Sequence, residues 1–156
     1  MNIDLDQFVV RRASLEDMRA IAPLFNQYRM FYNQSSDADG AYAYLSERVK
    51  QGESVIFAAW DRGLNLTVGF TQLYPSFSSI SMRNSWILND LFVAVDHRGQ
   101  GVARQLMNAA SEYAAETGAK GLELSTGTAN KAAQQLYESL GYERDEDFYH
   151  YYLRIN

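Results

Sequence analysis

Leu91-Phe92-Val93-Ala94-Val95-Asp96-His97-Arg98-Gly99-Gln100-Gly101-Val102-Ala103-Arg104 is the stretch that decides the fold. It reads as the end of a buried strand, Trp86 to Val95, then a glycine-rich turn, then the start of an amphipathic helix. The helical stripe continues through Leu106, Ala109, Ala110 and Tyr113, and Gly118 is placed to end it. A strand-turn-helix junction presents several backbone N–H groups at the positive end of the helix dipole. Gly99 and Gly101, having no Cβ, let a ligand approach the main chain. An anionic pyrophosphate suits such a junction. It is not a P-loop, because no Gly-Lys-Ser/Thr follows, and it lacks the third glycine of a dinucleotide fingerprint.

Outward from this segment the pattern is mixed α/β. On the amino-terminal side lie a strand over Gln7 to Arg11 and a helix over about residues 15 to 32, with Ser14 and Asp17 as a capping box. A second short helix runs through Leu45 and Val49. Strands follow over Ser54 to Trp60 and Leu66 to Tyr74, joined at Asp61-Arg62-Gly63. The serine-rich stretch Pro75 to Asn84 reads as a loop or irregular hairpin. On the carboxy-terminal side come a strand over Gly121 to Ser125, a helix over Ala129 to Leu140, and a final aromatic strand over Phe148 to Ile155. No repeat or linker interrupts the chain, so residues 1–156 are expected to form a single domain.

Composition narrows the function classes. Fourteen Lys plus Arg against nineteen Asp plus Glu give a formal charge of −5. That balance argues against general nucleic-acid binding, which depends on neutralising phosphates, and agrees with a cationic substrate or simply with solubility. No apolar run approaches the roughly 20 residues that cross a bilayer, and the amino terminus has no signal-peptide pattern. With zero cysteines there is no disulfide framework, and the two histidines, His97 in an exposed turn and His150 on the last strand, make no metal constellation. A cytoplasmic protein without metal or membrane partner is the expectation.

Two motifs give a specific resemblance. Arg98-x-x-Gly101-x-Ala103 is similar to the Gln/Arg-x-x-Gly-x-Gly/Ala signature of the GCN5-related N-acetyltransferases (GNAT). Downstream, Asn130-Lys131-Ala132-Ala133-Gln134-Gln135-Leu136-Tyr137-Glu138-Ser139-Leu140-Gly141-Tyr142 resembles that family's second signature, in the right order and at the right separation. Leu88-Asn89-Asp90-Leu91-Phe92-Val93 looks most like the polyamine and histone-type branch. The likeness is strong over about Trp86 to Tyr142 and elsewhere rests on element order.

The resemblance implies a mixed sheet splayed at its central strands, with helices on both faces, and transfer of acetyl from acetyl-coenzyme A to an amine. It implies that backbone groups of Arg98, Gly99, Gln100, Gly101, Val102, Ala103 and Arg104, together with Asn130, bind the coenzyme. Main-chain groups of Phe92 and Val93 would pair with its pantetheine arm, the Val93 N–H donating to the thioester carbonyl. Tyr137 matches the family's catalytic tyrosine, which protonates the leaving thiolate; packing against Leu136 and Leu140 is its other reading. Asp90 is the candidate base or amine anchor, with pairing to a basic residue as the alternative. Asn89 stands where relatives often carry a glutamate, and an amide takes no proton at neutral pH. Tyr28, Tyr32, Tyr74 and Asn89 are candidates to line the acceptor pocket, although aromatic residues so spaced also suit a core. The acceptor is expected to be a small primary amine, such as a polyamine, diamine or amino acid, and the protein a homodimer through its aromatic carboxy-terminal strand. A non-catalytic acyl-coenzyme A sensor and a protein-lysine acetyltransferase are the competing functions.

Overall fold

A computed structural model describes residues 7–156, which fall into two compact units, one ending at Leu124 and one spanning Ser125–Asn156. In the first unit the elements are β1 (Phe8–Arg12), α1 (Met18–Phe31), α2 (Ala38–Lys50), β2 (Val55–Asp61), β3 (Leu66–Ser78), β4 (Arg83–Val93), α3 (Val102–Glu116) and β5 (Leu122–Glu123). The strands make one sheet in the order β1-β2-β3-β4-β5, antiparallel except for the parallel pair β4–β5.

Helices cover both faces. On one, Met18, Ile21 and Phe25 of α1 and Leu45 of α2 pack with Ile56, Ala58, Phe70 and Phe92 in a single buried cluster. Each such side chain, fully removed from water, contributes roughly 2 kcal/mol before the entropy of ordering it is subtracted. The expected capping box forms, but it caps a short 3-10 turn, Leu15–Asp17, and α1 begins only at Met18. The Asp17 carboxylate accepts from the Ser14 N–H at 2.8 Å and from Arg11 at 2.9 Å. The Arg11 hydrogen bond is the main reason that the Asp17 carboxyl is held down at about 2, with burial opposing it and the Ser14 bonds assisting.

On the other face, α3 approaches the sheet at Gly69. A Cβ there would lie 3.1 Å from the Phe92 carbonyl oxygen and 3.2 Å from Val102 and Leu106 side-chain carbons, so glycine permits the close seat of α3. Farther along α3, Trp86 meets Tyr113 at 5.4 Å between ring centroids and donates its indole N–H to Thr117.

Trp86 and Phe92 have the same parity in β4 yet serve opposite faces, and a β-bulge explains this. Gln72 pairs with Asp90 while the next residue, Leu73, pairs with Leu88, leaving Asn89 as the extra residue. The bulge reverses the alternation, so Asp90 and Phe92 share the α1 face. The β4–β5 pairing is confined to Trp86↔Leu122 and Ile87↔Glu123. From Leu88 to Val93, β4 has no parallel partner among the described residues, and that edge of the sheet is open there.

The stretch 75–84 is more regular than its serines suggest. Strand pairing continues from Pro75↔Trp86 to Ser78↔Arg83, and only residues 79–82 form the turn. His97 is not an exposed turn residue: its side chain is 14% exposed and lies 3.5 Å from Asp61 and edge-on to Phe8.

In the second unit, α4 (Lys131–Ser139) is capped by Asn130, whose side chain accepts from the Ala133 N–H at 3.2 Å. Gly141, at φ +93°, follows its end. The expected final strand over Phe148 to Ile155 is a correction: residues 143–156 form neither helix nor strand. Aromatic β-propensity describes a side chain that fits a pleated surface, but a strand also needs a ladder partner for its N–H and C=O groups. His150 therefore sits on no strand and lies 3.7 Å from Asp145.

Candidate functional site

The junction of β4 and α3 has the geometry of an anion cradle. Gly99 and Gly101 take φ of +74° and +83°, conformations that L side chains rarely adopt. The first bond of the α3 ladder runs from the Gln105 N–H to the Gly101 carbonyl at 3.2 Å, so the N–H groups of Val102 and Ala103 precede it. Ideal Cβ atoms at Gly99 and Gly101 would meet nothing within 4 Å, leaving room for a phosphate group at the helix N-terminus. The Arg98 side chain turns inward: Nε donates to the Val93 carbonyl at 2.9 Å, and the guanidinium lies over the rings of Phe92 and Phe31. Arg98 thus fastens the turn to the end of β4 with its side chain.

Backbone direction along β4 follows from the antiparallel ladder. The Ala94 N–H donates to the Val68 carbonyl at 2.8 Å, so by alternation the Val93 N–H points to the other edge of the strand. That is the edge where β5 no longer pairs. A donor facing an open strand edge can bond an extended chain lying there.

Beside the bulge lies a cavity of about 350 Å³, large enough for a small organic molecule. Phe25, Tyr28, Tyr44 and Tyr74 form its aromatic wall, Asn89 and Asp90 lie on β4, and Arg29 and Asp37 also border it. Phe25 stacks on Tyr44 with nearly parallel rings, 5.8 Å apart. Tyr32 is not in the lining; it is exposed and packs edge-on against Tyr28 at 5.1 Å. Asp90 is 5% exposed. Its Oδ1 accepts from Asn89 Nδ2 at 3.1 Å and its Oδ2 from Gln72 Nε2 at 2.6 Å. The pairing with a basic residue weighed as an alternative is not what holds it; amides are. The Tyr74 hydroxyl bonds that of Tyr44 at 2.8 Å. Burial first, then this bond and the nearby charge of Asp90, push the Tyr74 phenol well above its ordinary range, so it remains a neutral hydrogen-bonding group.

Gln72, Tyr44 and Phe25 escape a sequence reading of the site. The first is one polar residue in an apolar strand, and the others look like ordinary core aromatics. The interior pair Asn89-Asp90 in β4 is the available signal that something polar faces them.

In the second unit, Tyr137 lies on α4 and packs at 6.1 Å against Tyr142, whose phenol is pushed up by burial and then by Tyr137. No group of three or more His, Cys, Asp or Glu that could hold a metal occurs among the described residues, and no described helix is long and apolar enough to cross a membrane.

A sequence profile described as the acetyltransferase (GNAT) family matches residues 19–142. The chain belongs to the GNAT family. It is an acetyl-coenzyme A-dependent acyltransferase by that membership, and the cradle at α3 and the open edge of β4 fit its cosubstrate. An uncharacterized N-acetyltransferase of Bacillus subtilis, YhfO, is 51% identical over 146 residues, covering 94% of this chain and 97% of that one. The crystal structure of a probable acetyltransferase is 41% identical, with a TM-score of 0.90 over 95% of this chain and 98% of that one. A thialysine N-epsilon-acetyltransferase of Bos taurus is 35% identical over 74 residues, 47% of this chain and 43% of that protein.

Proposed function

We propose that this acetyltransferase moves acetyl from acetyl-coenzyme A to a primary amine of a small cationic molecule, by direct attack in a ternary complex. The observation that carries this reading is a buried carboxylate, Asp90, on the wall of a cavity of about 350 Å³ that it shares with the rings of Phe25, Tyr28, Tyr44 and Tyr74, with Arg29 and Asp37 also at its border. Aromatic faces attract cations, and a carboxylate anchors them. The size suits an alkyl amine or amino acid. The name of the bovine relative, thialysine N-epsilon-acetyltransferase, supports the same class. On this reading the chain would lie near the polyamine and histone-type branch.

In this reading the coenzyme's pyrophosphate rests on the main chain of the 98–104 turn, and Asn130 serves it by capping α4. The Val93 N–H donates to the thioester carbonyl and stabilises the oxyanion that develops on attack. The amine nitrogen forms a bond to the carbonyl carbon, its proton passes to Asp90 or to a water beside it, and the carbon–sulfur bond breaks. Tyr137 gives its phenolic proton to the departing thiolate; its support is its place in the second signature. The profile match runs from residue 19 to 142 across the boundary after Leu124, which supports reading 1–156 as a single acetyltransferase domain.

The reading extends to a cytoplasmic homodimer that uses no metal. Support for assembly is the exposed aromatic tail, where Phe148, Tyr149, Tyr151, Tyr152 and Leu153 are 73%, 91%, 93%, 90% and 80% exposed; apolar surface of this kind marks interaction sites. Light scattering that gives a monomer mass at micromolar concentration would remove the dimer. The activity is tested by thiol release from acetyl-coenzyme A across polyamines, diamines, amino acids and lysine peptides. Turnover with small cationic amines is expected. Turnover with peptides alone would make the protein a protein-lysine acetyltransferase, and binding without turnover on any amine would make it a sensor.

A further inference from the structure

We infer that Gln72, held by Ser54, is the positioning residue of the acceptor site, fixing the Asp90 carboxylate toward the cavity. The inference rests on the proposed role of Asp90. Gln72 is completely buried, and its side chain is linked at both ends. Its Oε1 accepts from the Ser54 hydroxyl at 2.6 Å, and its Nε2 donates to Asp90 Oδ2 at 2.6 Å. Ser54, 4% exposed, immediately precedes β2, so the line crosses from the start of β2 through β3 to β4.

The chemistry of each partner sets the orientation. A hydroxyl can serve as donor or acceptor, but a carboxylate accepts, so the amide NH2 must face Asp90 and its oxygen must face Ser54. A reversed amide would set oxygen against carboxylate oxygen, a repulsive contact at a completely buried side chain. The hydroxyl hydrogen of Ser54 then completes the line at its far end.

This support is needed because of the bulge. With Asn89 inserted, the ladder is disturbed at the residue that must hold its side chain steady. Two adjacent β3 residues, both completely buried, take over from opposite faces. Thr71 donates its hydroxyl to the Asp90 carbonyl at 2.8 Å, and Gln72 holds the carboxylate. Asn89 bonds the other carboxylate oxygen at a longer 3.1 Å and is itself exposed, which leaves Gln72 as the rigid constraint. A charge-assisted bond of this kind contributes more than a neutral one and fixes direction as well.

The test uses the full chain and four variants: Gln72→Met, which keeps length and volume but cannot donate, Ser54→Ala, Asp90→Asn, and Gln72→Met with Asp90→Asn. Kinetics are taken with the amine that the wild type uses fastest among putrescine, spermidine and lysine. Gln72→Met is expected to lower kcat/KM for the amine about tenfold, through KM more than kcat, with an unchanged Kd for acetyl-coenzyme A; Ser54→Ala should lower it about threefold. In the Asp90→Asn background Gln72→Met should have no further effect, because the group it orients has lost its charge. That lack of additivity is what a merely structural role would not produce.

An NMR readout independent of turnover keeps the test decisive if a variant folds poorly or no amine reacts. In wild type the Gln72 side-chain NH2 should give two resolved, exchange-protected resonances that shift in Ser54→Ala. Rapidly exchanging resonances would overturn the proposal. So would Gln72→Met kinetics equal to wild type while Asp90→Asn is impaired, an outcome that leaves the Asp90 reading standing. An Asp90→Asn enzyme with unimpaired kinetics would remove both.

Discussion

The turn before α3 and the cavity beside the β4 bulge are built from opposite materials. The turn offers main-chain N–H groups and makes room by omitting side chains at Gly99 and Gly101. The cavity offers side chains drawn from α1, α2, β3 and β4, and its carboxylate is held by amides. A ligand common to a whole family can be recognised by backbone geometry, which many sequences can produce. A particular acceptor needs side chains, and those can change without disturbing the turn. The contrast predicts that damage to the turn abolishes cosubstrate binding whatever the amine, whereas damage to the cavity changes amine use and leaves cosubstrate affinity alone.

The largest expected effect is Gly101→Glu. At φ +83° a side chain is strained by roughly 1–2 kcal/mol, and a negative charge beside a pyrophosphate adds repulsion. Calorimetry should show acetyl-coenzyme A affinity falling by about a hundredfold or more, with circular dichroism unchanged. Affinity equal to wild type would show that the turn does not bind the cosubstrate.

Next is Asp90→Asn, expected to lower kcat/KM for the amine by roughly 10- to 100-fold, the range for losing a hydrogen bond to a charged group. Acetyl-coenzyme A affinity should remain within about twofold, a change worth less than 1 kcal/mol. Loss of both together would break the separation between the two regions. Tyr137→Phe should slow single-turnover transfer about tenfold or more, as for a general acid, and spare both binding constants. An equal single-turnover rate would return Tyr137 to a packing role beside Tyr142.

Tyr44→Phe is a finer probe of the cavity. It keeps the stack on Phe25 but removes the hydroxyl that meets Tyr74 at 2.8 Å. A rise in KM of a few fold is expected, the size of one neutral hydrogen bond, with kcat nearly unchanged.

The smallest effect lies away from both regions. Asp17, held at about 2 chiefly by Arg11, has a depressed folded-state value. Its contribution is therefore present above the ordinary carboxylate range near 4 and is lost as pH falls toward 2. Both side chains reach solvent, so screening keeps the pair to about 1 kcal/mol or less. Asp17→Asn should lower the melting temperature by a few degrees near neutral pH and converge with wild type as the pH approaches 2. A constant difference across that range would assign the effect to the cap alone.

How much was legible in the sequence differs between the same two regions. The strand-turn-helix order, the capping box at Ser14 and the glycines of the turn are written locally, since each depends on a residue and its near neighbours. The cavity is not local. Asn89 and Asp90 stand out as polar residues in an apolar strand, but nothing in the chain says that Gln72 will meet Asp90, because that contact depends on β3–β4 register. The bulge that reverses the faces of Trp86 and Phe92 is equally silent, as one extra residue leaves a strand's composition unchanged. The aromatic tail shows the opposite failure, for its residues favour a strand yet none forms in residues 143–156, where no ladder partner is paired with them.

By itself, then, the sequence determined the α/β class, the family, and a glycine turn that leaves main-chain N–H groups open before α3, all properties set by short-range spacing and by the stereochemistry of glycine. Tertiary structure alone decided which side chains line the cavity, how the carboxylate among them is held, and which edge of β4 lies open. Those depend on long-range pairing, and a shift of one residue in register would place a different set of atoms at the site.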